Sequence, residues 1–317
     1  MSFRAFLKET EFIVLDGAMG TELIQRGCRF TSLLWSAEAV SKCPELIKAI
    51  HTDYIEAGAD IITANTFRTD PWTFSKAGLS WETAKEYLKK AVQLSKEAIA
   101  ECHPERDVFI AGSISPLEDC YKPELSPDYD TAYKYHRTTA LWLKEAGVDL
   151  ILIETMNSLS EATAATLAAM ETELPIVTSF VLRDDGKIFN GDNIEEAYKK
   201  MLELGIDVFS INCTHHTIIE STLDIILPQT EIPICTYVNK GRYIQGKWED
   251  DPEFSPEQFS LIAKNWYERG IKIIGGCCFT NPEYIHAVSR VKATLLRKKI
   301  FYPIIKITIL QVVQLIM

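Results

Sequence analysis

The stretch Ala146-Gly147-Val148-Asp149-Leu150-Ile151-Leu152-Ile153-Glu154-Thr155 decides the fold. An amphipathic segment over Asp130 to Ala146 stops at a glycine, where a left-handed C-cap belongs, and a short apolar run follows at once. The same helix-Gly-apolar-Asp/Lys-strand junction recurs at Ala57-Gly58-Ala59-Asp60, Leu204-Gly205-Ile206-Asp207 and Arg269-Gly270-Ile271-Lys272. Repetition of this unit is the pattern of a parallel sheet with helical crossovers.

Working outward, eight strands are expected: Phe12 to Leu15, Asp60 to Ala64, Val108 to Ser113, Asp149 to Glu154, Pro175 to Val181, Asp207 to Asn212, Pro233 to Val238 and Ile271 to Ile274. Helices are expected over Pro44 to Glu56, Trp81 to Ala100, Asp130 to Ala146, Leu159 to Met170, Ile194 to Leu204, Ile218 to Leu227 and Pro256 to Glu268. Eight units without a linker imply a single (β/α)8 barrel over residues 1–300, and the 317-residue length suits one such barrel. A doubly wound open sheet calls for a Gly-rich phosphate turn after its first strand, and Asp16-Gly17-Ala18-Met19-Gly20 does not match G-x-G-x-x-G.

Two stretches stand outside the scheme. Ile114 to Asp128 carries Pro116, Pro123 and Pro127 and reads as a long loop over the barrel mouth. The apolar tail 301–317 contains Lys306 and is shorter than a membrane span, so it is assigned to covering the last helix or to a subunit contact.

A formal net charge of -11, spread without a long run of one sign, argues against a nucleic-acid or anionic-membrane surface. Eight cysteines are too dilute for a disulfide scaffold, and Met1 leads into Ser-Phe-Arg without an apolar signal region. A reducing, cytoplasmic compartment is the expectation.

Chemistry belongs at the carboxyl ends of the strands. Gly275-Gly276-Cys277-Cys278 ends the eighth and Asn212-Cys213 ends the sixth. Neighbouring side chains of a regular strand face opposite ways, so both adjacent cysteines reach the mouth only where the strand breaks, a break expected at the two glycines. Three thiols with no C-x₂-C knuckle suit Zn²⁺ in a catalytic site that keeps one position open. Cys28, Cys43, Cys102, Cys120 and Cys235 are read as packing, and His215 and His216 as a solvated loop pair rather than ligands. A strained Cys277–Cys278 disulfide leaves Cys213 without a role.

Asp16 ends the first strand, where a turn or cap role competes with a functional one, and Glu154 ends the fourth. A carboxylate directly after Leu150-Ile151-Leu152-Ile153 is costly without a partner or a task. Two anions beside a thiophilic site suggest a ligand carrying a cation and a sulfur, such as an amino acid with a side-chain thiol. Asn65-Thr66-Phe67 and Asn239 are placed on the same mouth.

With these motifs in hand, the chain resembles the homocysteine S-methyltransferase family. The resemblance rests on Leu15 to Thr21, Asn65-Thr66-Phe67, Glu154-Thr155, Asn212-Cys213 and Gly275 to Cys278, in order over Phe12 to Pro282. It implies a zinc-bearing barrel that methylates homocysteine to methionine, with Cys213, Cys277 and Cys278 on zinc and Asp16 and Glu154 on the amino group. It further implies a backbone contact from Gly17 and a supporting role for Asn212 beside the metal; Asn212 is counted with Thr66 and Phe67, from their place on the mouth, among the substrate-binding residues.

A cationic donor, the sulfonium of S-methylmethionine or S-adenosylmethionine, suits a negative mouth lined by Phe67, Trp72, Phe74 or Tyr121. Betaine-dependent members follow the glutamate with a tyrosine where this chain has Thr155, which disfavours betaine. The competing readings are methyl transfer from a corrinoid protein and, in another class, a non-catalytic zinc- or thiol-binding or redox-sensing protein.

Overall fold

All eight expected strands form, and they close on one another. The computed structural model describes residues 1–244 and 247–296, so the tail 301–317 lies outside the described residues. The strands are β1 (Ile13–Val14), β2 (Ile61–Ala64), β3 (Phe109–Ile114), β4 (Leu150–Met156), β5 (Ile176–Phe180), β6 (Val208–His215), β7 (Ile234–Asn239) and, after an inserted hairpin of β8 (Gly241–Ile244) and β9 (Lys247–Asp250), β10 (Ile273–Gly276). The barrel strands are all parallel in the order β1-β10-β7-β6-β5-β4-β3-β2. A parallel Leu15–Ile61 bridge joins the two ends and completes a (β/α)8 barrel, which excludes the open sheet.

The recurring junction has a structural reason at each half. Gly58, Gly147, Gly205 and Gly270 all take positive φ, between 78° and 103°, which turns the chain from each helix back toward the sheet. The aspartates that follow reach sideways at the strand starts and accept from the neighbouring strand: Asp60 from Val14 N–H at 2.7 Å, Asp149 from Ile110 N–H at 2.7 Å, Asp207 from Ile176 N–H at 2.9 Å. Each carboxylate satisfies an amide that the parallel ladder leaves over at the bottom rim. At the fourth junction Lys272 offers backbone groups instead, its carbonyl accepting from Ile13 N–H at 2.9 Å.

Alternation along the strands separates two cores. Ile13, Leu15, Ile61, Phe109, Leu150, Leu152, Val177, Val208 and Ile273 fill the barrel interior, while Val14, Ile62, Ile110, Ile151, Ile153, Phe209 and Ile274 pack outward against the helices. The interior is plugged from below by a helix absent from the sequence reading, Phe3–Glu9, capped by Ser2. Its Phe3 and Leu7 are buried in the interior cluster, and the Phe3 and Phe6 rings pack on Phe109 at centroid distances of 5.4 and 4.8 Å. Helix ends elsewhere agree with expectation to within two residues, as in Pro44–Ala57, Tyr129–Ala146 and His216–Ile226.

The barrel seam between β1 and β2 gives a test of these contacts. Asp60 holds Val14 N–H and also takes both hydrogen bonds of Lys292, at 2.7 and 2.8 Å. Asp60→Ala leaves a buried amide and a half-buried ammonium without their partner and should lower unfolding free energy by about 3 kcal/mol in urea titrations. A loss below about 1 kcal/mol would show that the seam does not depend on this carboxylate.

Candidate active site

Cys213 would face outward, because Val208, Ser210 and Asn212 already occupy the inward positions of β6. A bulge corrects this: Asn212 pairs with Tyr237 and Thr214 with Val238, so two steps on β6 meet one on β7, and Cys213 takes φ +50°. Its sulfur thereby joins those of β10, with Sγ at 2.9 Å from Cys277 Sγ and 3.8 Å from Cys278 Sγ. The three Sγ atoms all lie within 4.8 Å of one another.

The glycines before these cysteines act differently from expectation. Strand pairing continues through Gly275 and Gly276, opposite Tyr237 and Val238, so neither is the break. They are glycines because of space: a Cβ on Gly275 would stand 2.7 Å from Leu15 Cβ, and one on Gly276 would overlap the Thr280 side chain. The chain turns only after them, with Thr280 N–H and Oγ1 donating to the Cys277 carbonyl at 3.1 and 2.7 Å and Phe279 at φ +65°. Asn239, at the end of β7, fixes the second cysteine by accepting from Cys278 N–H at 3.0 Å.

A second bulge lies on β4. Ile153 pairs with Thr178 and Met156 with Phe180, and Thr155 takes φ +61°. Asn212 ties the two bulges together: its Oδ1 accepts from Thr155 N–H at 2.9 Å and Ser179 Oγ at 2.7 Å, and its Nδ2 donates to Thr155 Oγ1 at 2.8 Å. Glu154 points inward beside this brace, accepting from Ser113 Oγ and, at 3.2 Å, from the Tyr237 hydroxyl. Asp16 reaches across β2 and accepts from Thr63 N–H at 2.7 Å and Thr63 Oγ1 at 3.0 Å.

Neither carboxyl has a cationic partner in these bonds, and burial raises both, Asp16 to about 7 and Glu154 to about 8, with the charge on Cys277 adding to each rise. Hydrogen bonds from Cys213 and Cys278 hold the Cys277 thiol well below its ordinary range, while the bond to Cys277 pushes Cys213 up. One sulfur therefore carries charge readily and its neighbour does not. A thiophilic divalent cation fits this all-sulfur donor set, because it stabilises the further thiolates that the protein alone leaves protonated.

These groups form the floor of a cavity of about 670 Å³, within the size range of small-ligand sites. Asp16, Gly17, Glu154, Phe67, Cys213, Cys277 and Cys278 all line it. Gly17 must be a glycine, since a Cβ there would come within 2.7 Å of the Tyr54 hydroxyl, which itself lies 2.9 Å from the Ala18 carbonyl and 3.1 Å from that of Thr280. Thr66 and Asn212 are not on the wall. Thr66 Oγ1 instead joins β2 to β3 through Ser113 N–H and the Ser113 carbonyl, both at 2.9 Å, and Asn212 acts as the brace just described.

The loop after β3 does lie over the mouth, contributing Glu118, Asp119, Cys120, Tyr121 and Lys122. Cys120, read as packing, is a wall residue outside the three-thiol cluster. Of the aromatic candidates, Phe67 and Tyr121 line the cavity; Phe74 is buried among Leu34, Ala37 and Ala84, and Trp72 packs on Tyr135. The sequence reading missed Trp35, Tyr243 and Trp248. The last two ride on the β8–β9 hairpin, with Tyr243 stacked on Tyr121 at 3.9 Å.

His215 and His216 are not a solvated pair. His215 is buried, its Nε2 2.9 Å from Asp251 Oδ2 and its Nδ1 2.9 Å from Thr217 Oγ1, so it latches the base of the hairpin to the helix after β6. His216 packs on Phe254, and burial lowers it to about 4, so it stays neutral. Neither ring belongs to the thiol cluster.

A barrel with three thiols and two carboxyls converging at its mouth defines a thiol-chemistry enzyme site, and comparison with known proteins agrees. The homocysteine S-methyltransferase family model matches residues 13–291. Homocysteine S-methyltransferase of Escherichia coli is 30% identical, over 90% of this chain and 96% of its own, and YbgG of Bacillus subtilis is 33% identical over 87% and 93%. A selenocysteine Se-methyltransferase of Brassica oleracea is 31% identical over 91% of each chain. The metallated form of the Escherichia coli enzyme MmuM superposes with a TM-score of 0.80 at 28% identity, covering 91% of this chain and 99% of that one. The chain belongs to the homocysteine S-methyltransferase family and is a methyltransferase.

The raised carboxyls make a pH prediction. With folded-state values near 7 and 8 against ordinary values of 3.8 and 4.5, the folded protein holds protons that the unfolded chain has released. Their stabilisation is present in full below about pH 4 and is lost as pH rises toward 8. Glu154→Gln, which removes this titration, should therefore be more stable than the parent in ligand-free, metal-free protein at pH 8, by about 2–4 kcal/mol, with the gap closing toward pH 4. Urea unfolding at both pH values reads it; a gap that grows on acidification would contradict it.

Proposed function

We propose that this protein transfers a methyl group from a sulfonium donor to the sulfur of homocysteine, giving methionine. The observation that carries the reading is the meeting of Cys213, Cys277 and Cys278 with Asp16 and Glu154 on one cavity floor. A ligand that answers both features has a thiol for the sulfur site and an ammonium for two carboxyls that lack a cation.

The three cysteines would hold Zn²⁺, which when bound supplies the acidity that keeps a substrate thiol ionised near neutral pH. Asp16 and Glu154 bind the ammonium, and its positive charge draws both carboxyls into their ionised forms. Thr63, Ser113 and Tyr237 fix those carboxyls, so the acceptor's α-carbon has one position on the floor. Asn212 holds Thr155 and the bulge beside Cys213, which sets where the acceptor sulfur comes to rest.

In the transfer, the donor's S–CH₃ bond breaks as the acceptor's forms, and the donor leaves as a neutral thioether. The thiol proton has already gone to solvent. No side chain is asked to act as a general base. A negative mouth attracts the cationic donor, and because the donor loses its charge in the transfer, that attraction serves capture of the donor rather than stabilisation of the transition state. Small-molecule substrates and a reducing compartment, the cytoplasm, complete the reading, since oxidation of the thiols abolishes the metal site.

Zinc content and methionine formation measured on the same preparations test this. Each of Cys213→Ser, Cys277→Ser and Cys278→Ser should lower bound zinc about tenfold or more and lose turnover with S-methylmethionine and homocysteine in parallel. Full zinc retention with lost turnover would remove the residue concerned from the ligand set. Absence of methionine from zinc-loaded parent protein with any sulfonium donor would overturn the reaction.

A further inference from the structure

We propose that Arg68 anchors the carboxylate of the methyl donor, so that the site selects a sulfonium amino acid over sulfonium cations that lack a carboxylate; the inference rests on the methyl-transfer reading above. Among the described residues, three cationic side chains line the cavity: Arg68, Lys76 and Lys122. Two are already matched by carboxylates. Lys76 Nζ lies 2.7 and 2.8 Å from the two Glu118 oxygens, with Trp72 Nε1 holding the same group at 2.8 Å, and Lys122 lies 3.7 Å from Asp119.

Arg68 has no carboxylate partner among the described residues. Its guanidinium donates once, from Nη2 to the Glu118 carbonyl at 3.1 Å, and lies 5.6 Å from the centroid of the Phe67 ring. One contact orients the planar fork and the ring backs it, leaving most of its five N–H groups for a ligand. The segment that carries it is rigid: Thr69 N–H and Oγ1 both bond to the Thr66 carbonyl, and Asp70 caps the helix Pro71–Lys76. A fixed guanidinium beside an aromatic face is suited to a bidentate carboxylate grip.

Depth assigns this grip to the donor. Asp16 and Glu154 are 3% and 9% exposed and keep the acceptor's ammonium on the floor, whereas Arg68 is half-buried on the loop after β2. In-line displacement places the donor's leaving sulfur on the far side of the methyl group from the acceptor sulfur. The remainder of the donor then extends outward, toward the level of Arg68.

The test uses metal-loaded, full-length protein and the variants Arg68→Met and Arg68→Lys, with S-methylmethionine and trimethylsulfonium as donors. Binding of each donor is measured by calorimetry, and KM values for donor and homocysteine by methionine formation. Arg68→Met should weaken S-methylmethionine about tenfold or more and reduce its preference over trimethylsulfonium by the same factor, the loss falling on the donor KM rather than the homocysteine KM. Arg68→Lys should recover part of it.

A rise confined to the homocysteine KM would assign the grip to the acceptor, and equal weakening of both donors would reduce Arg68 to a wall residue; either result overturns the proposal. The calorimetry separates the two readings. Arg68-dependent binding of S-methylmethionine without methionine formation upholds the anchor and defeats the transfer reaction, while unimpaired methionine formation by Arg68→Met does the reverse.

Discussion

A parallel strand shows its side chains alternately to the barrel interior and to the helices, so a regular barrel offers its mouth only every second residue. This chain needs more, and the site exists because the alternation is interrupted on three strands. Thr155 and Cys213 do so as left-handed bulge residues, and Cys277 and Cys278 by lying past the end of β10 at Gly276. Neither bulge residue is glycine, so each holds a conformation that costs about 1 kcal/mol or more and persists only where its surroundings impose it. Asn212 is what imposes it, bonded to both the backbone and the side chain of Thr155 while being the immediate neighbour of Cys213.

The same concentration shows in the electrostatics. A stable core would not gather two carboxyls and three thiols with only neutral partners, and the burial that pushes Asp16 and Glu154 upward is the physical source of that cost. Stability comes from elsewhere: the aspartate bonds along the bottom rim, the helix Phe3–Glu9 within the interior core, and the outer apolar layer between strands and helices. The molecule thus places its strain at one end and its reinforcement at the other, as (β/α)8 enzymes do when loops carry function on a rigid scaffold.

What could be read in advance was whatever rested on local chemistry. Glycine and aspartate at the junctions announced the helix ends and strand starts, and Cys213, Cys277, Cys278, Asp16 and Glu154 stood out as costly residues at strand ends. What escaped depended on partners distant in sequence. The bulges leave no glycine signature, so nothing local shows that Asn212, expected beside the metal as a supporting residue, gives that support by bracing Thr155. Gly275 and Gly276 looked like a break, because nothing local reveals that Leu15 and Thr280 press on them. The helix Phe3–Glu9 is too short to show a period, and its apolar residues make sense only once the barrel above it exists. The hairpin's cue, Tyr243 and Trp248 on either side of Gln245-Gly246, stands outside the βα repeat that the rest of the chain follows.

The plug below the barrel also governs traffic. Among the described residues, Phe3 and Leu7 close the lower end of the interior, and the cavity opens at the upper mouth, past the loop after β3 and the hairpin. Two substrates that react on such a floor share a single doorway. The one that lies deeper must enter first and depart last, because its companion stands between it and the exit. For the chemistry proposed here, that makes the order of addition a property of the architecture: homocysteine before the donor, and the spent thioether before methionine.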